Sequence, residues 1–175
     1  MVRFYFHVRF MRVTPIIFPM VIGLLFIIFQ VKVVFAADGD LDTTFSTDGI
    51  VTTAISGADD SGAAVAIQPD GRMVVAGTSA GSGNKDFAVV RYNTNSSLDS
   101  SFSTDGQVTT DIGTKDDTAA GMAIQPDGKI VVVGTCDSGS SSNDDFAIVR
   151  YNTDGSLDAT FDTDGGVTTA VSALD

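Results

Sequence analysis

Ala66-Ile67-Gln68-Pro69-Asp70-Gly71 returns 57 positions later as Ala123-Ile124-Gln125-Pro126-Asp127-Gly128. In each copy an apolar segment runs into a turn and a second apolar segment leaves it. Pro presets φ at the first central position of the turn and Gly supplies a positive φ at its exit, so the flanking segments are predicted to form an antiparallel hairpin. Working outward, Asp86-Phe87-Ala88-Val89-Val90-Arg91-Tyr92-Asn93 recurs 59 positions later at 145–152. The two extra residues fall between Gly134 and Asp145, where a surface loop is expected to absorb them. A third motif, Leu41-Asp42-Thr43-Thr44-Phe45, recurs at 98–102 and 157–161, each time followed by Asp-Gly and then Val-Thr-Thr. Long-period self-similarity of this kind means stacked supersecondary units. The units span about 41–97, 98–156 and a partial 157–175.

Each unit reads as four short strands, in the first copy 63–68, 72–78, 86–92 and 107–110. Met73-Val74-Val75-Ala76 and Ile130-Val131-Val132-Val133 are apolar on both faces, as a strand is when another sheet covers each side. Repeated four-stranded meanders stacked face to face are β-propeller blades. The predicted fold is all-β and β-propeller-like, with two complete four-stranded antiparallel blades plus a partial third. A blade face measures roughly 300 Å², four strands about 4.8 Å apart by five residues of about 3.3 Å. Two stacked blades leave two such faces bare, on the order of 600 Å², the upper end of what a monomer exposes. The chain is therefore expected to be a fragment or protomer of a larger propeller, its partners further blades of the same or a longer chain.

The segments Ala-Ile-Gln-Pro-Asp-Gly-Arg/Lys, Val-Val-Ala/Val-Gly-Thr, Asp-Phe-Ala-Val/Ile-Val-Arg-Tyr-Asn and Gly-Ser-Leu-Asp-Ala-Thr-Phe resemble the delta-60 repeat. That family is a secreted bacterial β-propeller repeat of unknown function. The resemblance covers residues 38–175 and implies a fold and an exported setting. It carries no catalytic or ligand-binding residues to transfer.

Residues 1–36 differ in kind, with four basic residues, no acidic ones and a dense apolar run. Val34-Phe35-Ala36 ends in the small-residue pattern of a signal peptidase site, so cleavage is expected after Ala36 or Ala37. Initiation at Met11 would give a leader of conventional length. The competing reading is an uncleaved anchor over Val13 to Phe35, interrupted by Gln30 and Lys32, which would tie the chain to a membrane. With cleavage the product is secreted or held at the cell surface. The remainder carries six basic residues against 22 acidic ones, a formal charge of −16, which disfavours nucleic acid and anionic lipid. All 22 are Asp, a turn former and poor helix former.

The chemistry left open is narrow. The only histidine, His7, lies in the leader, and there is no Glu, so His-dependent triads and His-ligated zinc are excluded after cleavage. Cys136 is the only cysteine and aligns with Ser79, which reads as a small buried side chain. Asp59-Asp60, Asp116-Asp117 and Asp144-Asp145 read as solvated turn residues, with a carboxylate pair acting on a glycosidic bond as the sharper alternative. No catalytic residue and no cofactor is assigned, calcium excepted. Asp38, Asp40 and Asp42, and Asp162 and Asp164, place carboxylates two apart in loops and are the calcium candidates. Arg91-Tyr92 and Arg150-Tyr151 read as framework, Tyr packing at a blade edge and Arg pairing with a nearby Asp. The expected function is an exported noncatalytic repeat scaffold or binding module, engaging further blades and a surface glycan or protein. The alternative is a secreted carbohydrate-active hydrolase using Asp carboxylates.

Overall fold

A computed structural model describes residues 39–81, 83–137 and 144–170. The leader at 1–36 and the calcium candidate Asp38 lie outside them. Eight strands occur in chain order: β1 (Asp60–Ile67), β2 (Met73–Ala80), β3 (Lys85–Tyr92), β4 (Gln107–Thr110), β5 (Asp117–Ile124), β6 (Ile130–Cys136), β7 (Asp145–Tyr151) and β8 (Gly166–Thr169). They form two antiparallel four-stranded sheets, β1-β2-β3-β4 and β5-β6-β7-β8, the two blades. Among the described residues there is no helix.

The hairpin turns form as their residue types dictate. Gly71 N–H donates to Gln68 O at 2.9 Å with Gly71 at φ 84°, and Gly128 repeats the bond to Gln125 at 2.9 Å. Asp70 Oδ1 accepts from Arg72 N at 3.0 Å, the Asx bond that closes such a turn. After β3 the chain turns again through Asn93–Ser97, Asn93 N donating to Ser97 O at 2.8 Å. Where the second copy has Gly155 at φ 88°, the first has Ser96 at φ 68°, a left-handed residue that carries a Cβ.

Blades and sequence units are out of phase. Residues 98–110 end in β4, which closes the first blade, and 157–169 end in β8, which closes the second. The partial unit therefore lies at the N-terminal end: residues 41–53 have the sequence of a segment ending in a fourth strand, yet pair with no strand. Instead Tyr92 donates from its hydroxyl to Thr53 Oγ1 at 2.6 Å. Tyr151 and Thr110 make the same contact between the two blades at 2.7 Å. The N-terminal segment thus lies against the first blade as β4 lies against the second.

Candidate functional site

The register sets the face of each side chain. Val74 pairs with Arg91, Ala76 with Val89 and Thr78 with Phe87, so these six share one side of the first blade. All six are buried. They meet the second blade through Ile130, Val132, Cys136, Ala147, Val149 and Tyr151, each no more than 1% exposed. A Cβ on Gly134 would lie 2.8 Å from Phe87 Cζ, so the ring packs onto bare backbone. Ala119 N–H donates across the interface to Thr78 Oγ1 at 3.0 Å, and Arg91 Nη1 to Thr153 O at 2.6 Å.

Arg91 is held by a clasp that its own blade supplies. Its Nε donates to Asp99 Oδ2 at 2.7 Å, its Nη2 to Ser101 Oγ at 3.1 Å, and its guanidinium stacks 4.8 Å from the centroid of Phe102. Burial alone would raise the Asp99 carboxyl pKa. The bonds from Ser101 and the charge of Arg91 outweigh it and hold Asp99 below the usual value. In the second blade Arg150, Asp158, Thr160 and Phe161 repeat the arrangement, with Arg150 Nε 2.7 Å from Asp158 Oδ2. Lys129 lies 2.8 Å from Asp158, as Arg72 lies 3.2 Å from Asp99, and with the Thr160 bond drives the Asp158 pKa far down. The expectation that Arg pairs with a nearby Asp thus holds, whereas Tyr151 packs in the buried face between the blades rather than at a blade edge. Burial pushes the Tyr151 hydroxyl up to about 12 against the opposing Thr110 bond, so it stays protonated.

The interface is used once although both of its sides are present twice. Phe87 is 0% exposed and its counterpart Phe146 is 62% exposed; Ala76 is 0% exposed and its counterpart Val133 40%. On the other side, Met122 and Ile124 pack against the core while Val65 and Ile67 at the same positions of the first blade are 66% and 71% exposed. One end of the stack presents the donor face of the blade interface and the other end its acceptor face.

The residues singled out in the sequence are distributed differently. Asp40 and Asp42 are exposed on the N-terminal segment, Asp42 Oδ1 accepting from Thr44 N at 2.9 Å and from its hydroxyl at 2.6 Å. Asp164 Oδ1 accepts from Gly166 N at 3.0 Å, and Asp162 is left-handed at φ 57°. Cys136 is buried, and burial followed by the charge of Asp117 raises its pKa, which disfavours the reactive thiolate. The reading of Asp117 as a solvated turn residue is corrected. It opens β5, is 0% exposed and accepts from Ile112 N at 2.7 Å. Among the described residues the one cluster of three potential metal ligands is Asp86, Asp111 and Asp117. Scanning for carboxylates two apart misses it, because its members come from three separate segments. The available signal was Asp111, which stands where the other copies of Val-Thr-Thr are followed by Ala54 and Ala170.

The fold and its stacking interface define a β-propeller repeat module. Residues 68–102 and 125–161 match the family model of a domain of unknown function, DUF5122, described as a β-propeller. Each matched stretch runs from the first hairpin turn to the Phe of the clasp. No curated protein matches the chain.

Proposed function

We propose that this repeat module is an exported, noncatalytic scaffold whose blades stack head to tail on further blades of the same kind, supplied by a second copy of the chain. The observation that carries this reading is the contrast between Phe87, fully covered by the second blade, and Phe146, its exposed counterpart. Continuity with the internal interface supports a second copy as the occupant: the uncovered face of the second blade repeats the surface that the first blade buries. A heterologous contact of this kind closes into a ring or runs on as a filament. In such a stack Phe146 lies over Gly77 of the next copy, and Arg150 reaches its Thr94 carbonyl. Thr169 takes the place of Thr53 against Tyr92, so the N-terminal segment yields its position.

Sedimentation velocity over a concentration series tests the proposal. The expected result is reversible association of the wild type that Phe146→Asp abolishes. A wild type that stays monomeric throughout the series overturns it. Export rests on the leader and is checked by mass spectrometry of the secreted product, expected to begin at Ala37 or Asp38; an intact leader in the membrane fraction would refute cleavage. No turnover is expected in a glycosidase screen, and activity lost on an Asp→Asn change would establish the hydrolase instead.

A further inference from the structure

At the joint between the blades, three carboxylates from separate segments converge. Asp86 lies at the start of β3, Asp111 directly follows β4 and Asp117 opens β5; one oxygen from each lies within 4.8 Å of the others. Like charges this close repel strongly unless a cation lies among them. None of the three forms an ion pair among the described residues. The neighbouring lysines are engaged elsewhere, Lys85 with Asp116 at 3.8 Å and Lys115 with Asp137 at 3.6 Å.

Asp117 makes the arrangement more than an acidic patch. Its Oδ2 accepts from the backbone N–H groups of Ile112 at 2.7 Å and Gly113 at 3.3 Å. Its Oδ1 has no partner among the described residues, although the residue is 0% exposed. A buried carboxylate oxygen without a partner carries a desolvation cost that native structures rarely leave uncompensated. The equivalent residue in the first blade, Asp60, is only half-buried, and the Ser79 hydroxyl and the Ile55 N–H hold its carboxyl below the usual value. Its Oδ2 accepts from Ile55 N at 2.9 Å, and the Ser56 hydroxyl, which donates to Ala80 O at 2.7 Å, lies 3.4 Å from its Oδ1.

Three substitutions between the copies account for the difference. Gly113 replaces Ser56 and removes a hydroxyl beside the carboxylate, Cys136 replaces Ser79, the largest influence holding the Asp60 carboxyl low, and Asp111 replaces Ala54 and adds a third carboxylate. A Cβ at position 113 would lie 3.3 Å from Asp117 Oδ1 and 2.7 Å from the carbonyl oxygen of Asp137, so the glycine keeps the space beside that oxygen open. Asp111 is exposed and gives the site a route to solvent.

We infer that Asp86, Asp111 and Asp117 bind one calcium ion across the joint between the two blades. All donors are hard oxygens, which suits a hard divalent cation. Calcium is favoured over magnesium because three carboxylates with a nearby carbonyl form an irregular oxygen set, whereas magnesium keeps strict octahedral geometry and most of its water. The ion would tie the start of β3 and the end of β4 in one blade to the start of β5 in the next. The inference concerns a single chain and does not depend on self-association.

Calorimetric titration of the EDTA-treated chain with calcium chloride, at a concentration where it sediments as a monomer, tests the site. One ion per chain is expected, with a dissociation constant between about 10⁻⁶ and 10⁻³ M and magnesium at least about tenfold weaker. The melting temperature should rise by several degrees in saturating calcium. Asp111→Ala restores the residue found at the two equivalent positions, so it is compatible with the fold and should remove both responses. Asp162→Ala and Asp164→Ala should leave them intact. A wild type indifferent to calcium, or an Asp111→Ala variant that still responds, overturns the inference.

Discussion

Arg91 is only 4% exposed, so its clasp can be broken from one side only at high cost. Asp99→Ala leaves a buried guanidinium without its carboxylate and is expected to destabilise the chain by about 3 kcal/mol or more in urea denaturation. The same change at Asp158 should cost less, because Arg150 and Lys129 have partial access to water. Ser96→Gly should act in the opposite direction. It relieves a left-handed residue at φ 68° and is expected to gain about 0.5–1 kcal/mol, read from the same denaturation curves.

The carboxylates divide by pH. Asp99 and Asp158 have folded-state pKa values below their unfolded ones, so their contribution is present at neutral pH and lost as pH falls below the ordinary carboxylate value. Asp86 and Asp117 are raised, so without calcium their repulsion is relieved as pH falls through their folded-state values. Melting curves in EDTA should therefore show stability rising on mild acidification and collapsing at lower pH. Saturating calcium should remove the rise and leave the collapse.

At the scale of elements, the four strands of each blade were legible because hydrophobic runs and turn residues gave the same boundaries twice. The strand read at 72–78 and observed at Met73–Ala80 is an example. What a single unit conceals is which copy of Leu-Asp-x-x-Phe closes which sheet, since that is a long-range pairing with no local signature. The carboxylate site was hidden for the same reason: Asp86 and Asp111 meet where β3 pairs with β4, and Asp117 joins them only once the second blade has stacked on the first. The N-terminal segment, by contrast, depends on few contacts. Thr53→Val removes the acceptor of the Tyr92 hydroxyl and should cost about 1 kcal/mol. Limited proteolysis should then cut within 41–56 faster than in the wild type. The same variant should associate at lower concentration, if this segment and β8 of a second copy compete for one place.

The whole molecule offers a direct comparison of two phenylalanines in one chain. Phe87→Ala empties a packed site over Gly134 and is expected to cost about 3–5 kcal/mol. Phe146→Ala should cost under about 0.5 kcal/mol in dilute solution, where its ring faces water. A concentration-dependent increase in the second value would measure how much of that ring a neighbour covers. Both answers follow from a rule visible in the sequence, that strands apolar on two sides need two coverings. The sequence does not show which sides this chain covers itself.

The offset between sequence period and closed sheet has a practical side for anyone recombining such modules. Scissors placed at the textual boundary, before Leu98, would strip β4 from its sheet and hand the next piece a closing strand it cannot use. The only cut that returns an intact four-stranded piece falls between Thr110 and Asp117, a linker of six residues. That same cut parts Asp86 from Asp117, so single-module chimaeras should inherit the fold and forfeit the ion.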